Sequence, residues 1–444
     1  MRAPSRDRAV VALRRVVTSL RPGPTTADGV GTAGVAALLV LAWARVTLPQ
    51  LVDVLHDGRP AFNSPVESMP VAGRLLGDAI TVAFIGLAAL LIGYGLRRRR
   101  PDRPWELAAV LAPLSAIHLA ALVNGERPGP VALALPAAIV AIWVLRPGAR
   151  ALATIGVLGA VTAAGAILLA AVRPDLALLT GADAGGKSWA VGGLLAGPYP
   201  HSNVLGLMLA LCLPFVCCLR HRPSRRAALA LVLVALLWTG SRTGQLAALV
   251  VLLTWGLLGW RTGGRADRRV GGRSRRPSTV IGAPVLVGLG LTVVSPLATT
   301  DPASFTNRGR IWRALLGRWA ERPLTGHGPG YFERQPELAE ALGGRYTHGH
   351  NLLVHLLAVG GLLTVVLMAV LLGLVWRRST DLAALGRPAP ALFLIALLWV
   401  SWLEASHVSV TLAGQLTWLP LCLIVRAGPT RPDPAPGSED QDVA

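Results

Sequence analysis

Long apolar runs follow one another along most of the chain, separated by short polar segments. A helix of ~20 apolar residues is long enough to cross the ~30 Å hydrocarbon core of a bilayer. Twelve runs approach that length: Gly31–Leu51, Ala79–Leu96, Trp105–Val123, Val131–Leu145, Ala151–Val172, Asn203–Leu219, Ala227–Gly240, Gly244–Trp260, Val280–Leu297, Leu352–Trp376, Pro390–Trp402 and Val410–Val425. We therefore predict an all-α, polytopic membrane protein with about twelve transmembrane helices, whose integral domain covers residues 31–425.

Composition and charge support this interpretation and orient the chain. A hydrophobic fraction of 53% with 15% charged residues excludes a set of soluble domains. The net charge of +20 would suggest nucleic acid binding in a soluble protein. Here, with the N-terminus inside, the cytoplasmic segments hold 29 of the 43 basic residues. The positive-inside rule thus predicts a multi-pass plasma-membrane protein with both termini in the cytoplasm and no nucleic-acid partner.

The two ends of the chain and its cysteines add smaller expectations. Residues 1–30 form a basic cytoplasmic segment before an uncleaved first anchor, and the proline-rich residues 426–444 predict a disordered cytoplasmic tail. Arg45, inside the first span, is expected to snorkel to the outer interface; the alternative is a buried functional charge. The four cysteines all lie in apolar runs, which indicates core positions and no disulfide or metal framework.

The seventh and eighth spans are short and are separated only by Ser241, Arg242 and Thr243. They could form a hairpin or one fused helix. Fusion would move the seven arginines of Arg261–Arg276 outside, which the charge rule opposes, so we predict a hairpin. Arg242 would then lie at the bottom of a water-filled depression that opens outward, because a charge at that depth needs water or a partner.

Two outer loops are long enough to carry a site, Arg173–Ser202 and Ala298–Asn351. The second contains an apolar arc at helical spacing: Ile311, Trp312, Leu315, Leu316 and Trp319. Arg310 and Arg313 point away from this arc, which predicts an amphipathic helix on the membrane face of the protein. A glycine-rich turn follows at Gly326–Gly330. The loop ends with His348, His350 and Asn351 at the entrance of the tenth span.

Arginine and histidine in this loop suggest phosphate chemistry. The guanidinium group matches phosphate oxygens two at a time, and an imidazole can take a proton near neutral pH. An outward cavity holding Arg242, Arg308 and His350 could grip a pyrophosphate and deprotonate a hydroxyl group. Each feature also has a structural explanation. Loop arginines often contact lipid headgroups, and His348 could be only a neighbour or a helix-entry residue. The glycine turn lacks the lysine of a phosphate loop, so it is a turn first.

Metal sites are not predicted. The acids of the large loop show no paired spacing typical of Mg²⁺ or Mn²⁺ binding, and neither HExxH nor CxxC occurs in the chain. We therefore expect a reaction that needs no metal and no other cofactor.

Four stretches resemble the O-antigen ligase and O-antigen polymerase superfamily of bacterial envelope glycosyltransferases: GPYPHSNVLG at Gly197–Gly206, WTGSRTG at Trp238–Gly244, NRGRIWRALLGRWAERPLTGHGPGYF at Asn307–Phe332 and HNLLVHLLAVGGLL at His350–Leu363. Together they cover about the second half of the chain. The resemblance implies functional arginines at Arg308 and Arg242 and a catalytic histidine at His350. The remaining substrate-binding candidates are Arg310, His348, Asn351, His201 and Asn203.

What the resemblance implies is glycan transfer from a polyprenyl diphosphate carrier to an acceptor hydroxyl on the outer face of the membrane. The acceptor would be a lipid, a glycan or a protein. A base on the attacking hydroxyl and positive charge on the departing diphosphate are what this chemistry needs. Direct displacement would invert the anomeric carbon. The alternative from another class is a multi-span transporter or lipid-linked glycan flippase, and a non-catalytic scaffold is a third possibility.

Overall fold

A computed structural model describes residues 26–58, 69–98, 100–148, 150–181, 192–263, 277–335 and 348–427. These residues are almost entirely helical, which confirms the all-α class. Most of the predicted basic segment 1–30 and nearly all of the predicted tail 426–444 lie outside the described residues.

Fourteen α-helices and one short β-hairpin occur in these ranges. The first part of the chain forms α1 (Thr26–Asp57), α2 (Val71–Arg98), α3 (Pro104–Val123), a 3-10 turn (Pro130–Leu133), α4 (Ala134–Leu145), α5 (Arg150–Val172), α6 (Pro174–Ala177), β1 (Leu178–Leu179) and β2 (Leu194–Leu195). The two strands are antiparallel, with Leu178 opposite Leu195.

The remaining helices continue in chain order. They are α7 (Ser202–Val216), α8 (Arg222–Trp238), α9 (Arg242–Gly263), α10 (Pro277–Ala298), α11 (Ser304–Trp319), α12 (Leu352–Ala384), α13 (Ala389–Ser401) and α14 (Gln415–Arg426), with 3-10 turns at Pro329–Tyr331, Ser406–Val408 and Leu412–Gly414.

Twelve of these helices overlap the twelve predicted spans. By length and composition, seven can cross a membrane: α1, α2, α3, α5, α9, α10 and α12. Four others, α4, α7, α13 and α14, are apolar but shorter. The remaining one, α8, is 17 residues long and carries three arginines near its start. The described residues therefore support a multi-pass membrane protein, whereas the count of twelve spans is not confirmed.

The short helices form the centre of the bundle. In α13 all residues except Trp399 are buried, and α7 is buried almost throughout. Both helices are apolar around their whole circumference, which is typical of helices enclosed by protein. The longer α2 buries residues only every third or fourth position and exposes Leu75, Val82 and Leu90. Such an exposed apolar face suits contact with lipid chains.

A buried ion-pair network marks one end of the bundle. Glu106 at the start of α3 is 1% exposed and binds Arg378 of α12 at 2.6 Å and Arg426 of α14 at 3.0 Å. Asp102 beside it binds Arg146 and Arg426. These residues belong to segments that were all predicted on the cytoplasmic side, and the structure brings them together. The compartment that they face stays a prediction.

This network lies far from the start of α12. Arg378 is roughly 39 Å along α12 from Leu352 at 1.5 Å per residue, which exceeds the ~30 Å thickness of the hydrocarbon core. Residues 348–351 therefore lie at the opposite end of the bundle.

Two predictions about single segments can be compared with the fold. α8 ends at Trp238 and α9 begins at Arg242, with Gly240 in a left-handed conformation (φ 63°), so the two segments are separate helices. Arg45 is held against α2, where its Nε donates to the Thr81 hydroxyl at 2.9 Å. This hydrogen bond joins α1 to α2, and both interpretations of Arg45 stay predictions.

Candidate functional site

Asn351 fixes the backbone that carries the candidate histidines. Its side chain is fully buried, and its Oδ1 accepts from the backbone N–H of Val354, which caps α12. Its Nδ2 donates to the carbonyl oxygens of Thr292 on α10 and Trp402 after α13, at 3.0 and 2.9 Å. Because every polar atom of the amide has a backbone partner, Asn351 positions the loop. Its predicted role in substrate binding stays a prediction.

Four side chains converge next to this anchor, and we call them the Glu404 cluster: Arg308, His348, His350 and Glu404. Arg308 Nη2 donates to Glu404 Oε1 at 2.7 Å. His348 Nε2 lies 3.0 Å and His350 Nδ1 lies 3.3 Å from Glu404 Oε2. The two imidazole centroids are 4.1 Å apart. The Glu404 side chain is 5% exposed, whereas the side chains of Arg308 and His350 are 17% and 21% exposed. The cluster therefore has a buried carboxylate and a rim that reaches the surface.

The backbone at His350 has an unusual conformation. Its φ is 48°, in the left-handed region that costs a non-glycine residue free energy. The next residue, Asn351, returns to an extended conformation as it caps α12. The fixed cap and the left-handed step together direct the His350 side chain toward Glu404. Left-handed residues of this kind cluster at functional sites.

A second left-handed segment precedes Arg308. Phe305, Thr306 and Asn307 have φ values of 54°, 61° and 66°, so the start of α11 is a left-handed turn. Phe305 packs against Trp312 and Trp402, with ring centroids 5.3 and 5.9 Å apart. Its carbonyl oxygen accepts from Arg308 Nη1 at 3.3 Å. This turn therefore gives the guanidinium group a second contact besides Glu404.

The apolar arc of α11 is buried as predicted, but against protein. Ile311, Trp312 and Leu315 form one cluster with Tyr331, Val354 and Ala358. A Cβ atom on Gly309 would lie 2.4 Å from the carbonyl oxygen of Asp301, so only glycine fits this contact. The helix is therefore docked onto α12 and the glycine-rich turn, rather than lying with its apolar face in lipid. Arg310 and Arg313 are exposed on its other side.

The glycine-rich turn fits into a break in α12. His327 and Gly328 donate their backbone N–H groups to the carbonyl oxygens of Ala358 and Val359, and Gly361 adopts a φ of 66° at the break. A Cβ atom on Gly361 would lie 2.3 Å from the carbonyl group of Leu324. The glycines thus serve backbone packing, which agrees with the interpretation of this motif as a turn.

In that turn, a carboxylate already accepts the hydrogen bond from a backbone N–H that a phosphate would need. Glu126 Oε2 accepts from the backbone N–H of Gly330 at 3.0 Å, and its Oε1 binds Arg334 at 2.6 Å. The turn is therefore a structural element next to the Glu404 cluster.

The other predicted site residues lie at the same end of the bundle as the cluster. Phe215 near the end of α7 packs on Phe393 near the start of α13, with centroids 5.1 Å apart, so the start of α7 lies toward the end of α13 that leads to Glu404. Gly206 of α7 is in close contact with Ser241, which places Arg242 there too. His201 caps α7 by accepting from the backbone N–H of Asn203 at 2.9 Å.

These residues nevertheless remain outside the cluster. Within the described ranges, no hydrogen bond or ion pair joins Arg242 to Arg308, His350 or Glu404, and Arg242 is exposed. Arg310 is exposed on α11 as well. The structure thus brings Arg308, His348 and His350 together and leaves Arg242, Arg310, His201 and Asn203 as neighbours on the same side of the bundle.

Residues 227–369 match the family model described as O-antigen ligase. This part of the chain is similar to the O-antigen ligase family. The match confirms the resemblance seen in the sequence and covers roughly a third of the chain, from α8 into α12. Arg242, Arg308 and His350 lie inside it, whereas Glu404 lies beyond its end. A comparison with curated proteins found no significant match.

Charge and burial set the protonation states at the Glu404 cluster. Burial raises the pKa of Glu404, but the contacts with the imidazoles of His348 and His350 and their positive charge outweigh burial and hold that pKa well below its usual value. Burial lowers the pKa of His350, and the positive charge of a protonated His348 acts in the same direction. At neutral pH the cluster therefore contains a carboxylate and a neutral His350 that can accept a proton.

Glu404 is the residue that sequence reasoning missed. The acids considered for the site were those of the large loop, whereas Glu404 follows α13 and is 96 residues from Arg308. One signal was present in the sequence: between Arg387 and Arg426, Glu404 is the single Asp, Glu, Lys or Arg. A lone charge at the end of an apolar helix requires a partner.

The nitrogen and oxygen atoms of His348, His350 and Glu404 all lie within 4.8 Å of one another, so these three groups are close enough to share a metal ion. The positive guanidinium group of Arg308 already binds the same carboxylate at 2.7 Å and would repel a second cation. The contacts around Glu404 are those of a carboxylate that is hydrogen-bonded to Arg308 and His348 and lies 3.3 Å from His350 Nδ1. The absence of a metal requirement stays a prediction with a direct test.

Proposed function

We propose that this protein transfers a glycan from a polyprenyl diphosphate carrier to an acceptor hydroxyl at the outer face of the plasma membrane. The observation that carries the proposal is the convergence of Arg308 and His350 on one buried carboxylate. These two residues come from separate motifs, and each supplies one of the two groups that the reaction needs.

Arg308 is suited to bind the diphosphate. Its Nη2 binds Glu404 and its Nη1 binds the carbonyl oxygen of Phe305, but its Nε is buried and has no hydrogen-bond partner among the described residues. A buried donor without a partner costs ~1–3 kcal/mol, and an anion at the rim of the cluster would remove that cost. The guanidinium group is also fixed by two contacts, so it does not have to be ordered when the donor binds.

His350 is suited to act as the base. His350 Nδ1 lies 3.3 Å from the Glu404 carboxylate, whose negative charge favours a proton on that nitrogen and therefore the tautomer whose lone pair is on Nε2. In the proposed step the acceptor oxygen forms a bond to the anomeric carbon while the bond from that carbon to the diphosphate oxygen breaks. The hydroxyl proton passes to His350 Nε2, and the electron pair leaves with the diphosphate. Displacement from the opposite face inverts the anomeric configuration.

Arg242, Arg310, His201 and Asn203 would extend this site toward the carrier and the sugars. All four lie at the cluster's end of the bundle, and the two arginines are exposed. We assign them to binding of the donor, with Arg242 as the second arginine for the diphosphate. His348 shares Glu404 Oε2 with His350, and we assign it a supporting role beside the base.

The test is transfer from a purified polyprenyl diphosphate-linked glycan by purified wild-type protein and by His350→Gln. Glutamine can still form hydrogen bonds but is not a base, so transfer should fall ~10²- to 10⁴-fold. His327→Gln is the matched control, because His327 lies in the same loop and its side chain contacts the carbonyl oxygen of Arg318 and the ring of Tyr331, outside the Glu404 cluster. Transfer by His350→Gln near the wild-type rate would exclude His350 as the base.

The acceptor is identified in a deletion strain whose carrier-linked glycans are extracted and sized. Accumulation of single repeat units indicates a polymerase, and accumulation of long undelivered chains indicates a ligase. Unchanged carrier-linked glycans would contradict both forms of the proposal.

A further inference from the structure

Glu404 contacts every other member of its cluster. Its Oε1 accepts from Arg308 and its Oε2 faces both imidazoles, so each carboxylate oxygen is used. The cluster joins three parts of the chain: Arg308 on α11, the two histidines in the loop before α12, and Glu404 itself after α13. At 5% exposure the carboxylate is too deep to touch a substrate directly. Its role must therefore be exerted through the groups that it holds.

We propose that Glu404 is a positioning residue, whose carboxylate directs Nε2 of His350 toward the acceptor hydroxyl and holds the guanidinium group of Arg308 beside it. The kinetic part of this inference rests on the proposed transfer reaction; the part that concerns His350 does not. An imidazole oriented by a carboxylate at its second nitrogen keeps one tautomer and becomes a stronger base.

The surroundings of His350 make this contribution measurable. The titratable or charged groups around its ring are Glu404, Arg308 on α11, His348 in the same loop and His355 on α12. Positive charge on Arg308 or on a neighbouring histidine favours the neutral form of His350. Glu404 alone among these groups favours the protonated form. Removal of its charge should therefore lower the proton affinity of His350, with no opposing change from the others.

The experiment compares wild-type protein with Glu404→Gln and Glu404→Asp in detergent micelles, without substrate. Diethyl pyrocarbonate modifies neutral imidazoles, and tandem mass spectrometry of the peptide that contains His350 gives its modification rate against pH. We expect the midpoint for His350 to fall by about 1–3 pH units in Glu404→Gln, the range for loss of an opposite charge at this distance. Glu404→Asp keeps the charge but shortens the side chain, so the shift should be smaller and in the same direction.

Glu321→Gln is the matched control. Glu321 is paired with Arg318 at 2.9 Å on the same outer segment, and both side chains are about half exposed. This variant removes a paired carboxylate without touching the cluster, so the His350 midpoint should not move. An unchanged midpoint in Glu404→Gln would overturn the proposal. Should Glu404→Gln fail to elute as a monodisperse peak, Glu404→Asp alone decides, and an unchanged midpoint there overturns it equally.

Transfer kinetics separate this inference from the proposed function. In an active protein, Glu404→Gln should lower kcat at least ~10-fold with a smaller change in KM, shift the acidic limb of the pH profile to lower pH, and recover partly in Glu404→Asp. Equal losses in Gln and Asp variants with no shift of that limb would indicate a merely structural role. If the His350 midpoint shifts in Glu404→Gln but the wild-type protein transfers no glycan, the effect of Glu404 on His350 stands and the proposed transfer reaction is refuted.

Discussion

Replacement of Arg308 by alanine and by lysine should affect the unfolding temperature differently but reduce the transfer rate in both variants. The pair of Arg308 and Glu404 has a 2.7 Å contact between side chains that are 17% and 5% exposed. Removal of one partner of a buried ion pair costs ~3–5 kcal/mol, and the partial exposure of Arg308 favours the lower end of that range. Arg308→Ala should therefore lower the unfolding temperature of the purified protein clearly. Arg308→Lys keeps a positive charge for Glu404 and should lower it far less.

Transfer should respond differently to the same two changes. Lysine has one compact ammonium group and lacks the planar fork that reaches two oxygens at once. Loss of a donor that stabilises developing charge typically costs ~10²- to 10³-fold in rate, and we expect that loss for Arg308→Lys as well as for Arg308→Ala. The assay is initial-rate transfer from the lipid-linked donor, with detergent-solubilised protein matched for monodispersity.

Arg313→Lys is the control, because Arg313 is exposed on the opposite side of α11 from the buried arc. Its rate should stay within about twofold of the wild type, since exposed charges of this kind contribute little. Near-wild-type transfer by Arg308→Lys would refute the diphosphate clamp. If the transfer rate of each Arg308 variant falls only as far as its fraction of folded protein falls, Arg308 contributes to folding alone.

Three further predictions use other features of the structure. Burial lowers the pKa of His407 to about 4 from 6.5, so the folded protein keeps this ring neutral while the unfolded chain protonates it. Stability from this source is complete above pH 6.5 and declines toward pH 4, and thermal unfolding across that range should show a shallower decline in His407→Gln. In a cysteine-free background, Glu321→Cys should react with a membrane-impermeant thiol reagent on intact cells, whereas Leu385→Cys should react only after permeabilisation; the reverse result would invert the predicted orientation. Transfer should survive dialysis against EDTA, and its loss with recovery on addition of a divalent metal would identify the Glu404 cluster as a metal centre.

The apolar pattern predicted where the helices lie, because burial in lipid or protein imposes it residue by residue. It also predicted the buried arc of α11, since Ile311, Trp312 and Leu315 follow the helical period. The pattern did not distinguish a helix packed on lipid from one packed on protein, because both environments select the same residues. This is why α11 was expected on the membrane face and why the short central helices could not be told from full spans.

The contacts of the site could be predicted only in part. Motif residues gave Arg308 and His350, but the residue that joins them, Glu404, is distant in sequence and follows no local spacing. Asn351 was assigned to substrate binding from its position beside His350. A buried amide next to a helix start is equally suited to capping, and the structure shows that use. Pairings between distant segments depend on the packing of the whole bundle, which one sequence does not reveal.

The ion pairs of Glu106 join segments that the ribosome completes far apart in time. Arg378 and Arg426 follow Glu106 by 272 and 320 residues. At ~5–20 residues per second, the ribosome completes Arg426 roughly 16–64 seconds after Glu106. During that interval the carboxylate at the head of α3 has Arg103 as a partner, at 3.4 Å, but lacks at least one of the two arginines that enclose it in the folded protein. Docking of α14 is therefore the last step that closes the bundle, and a ribosome stalled before Arg426 would hold a nascent chain with this end still open.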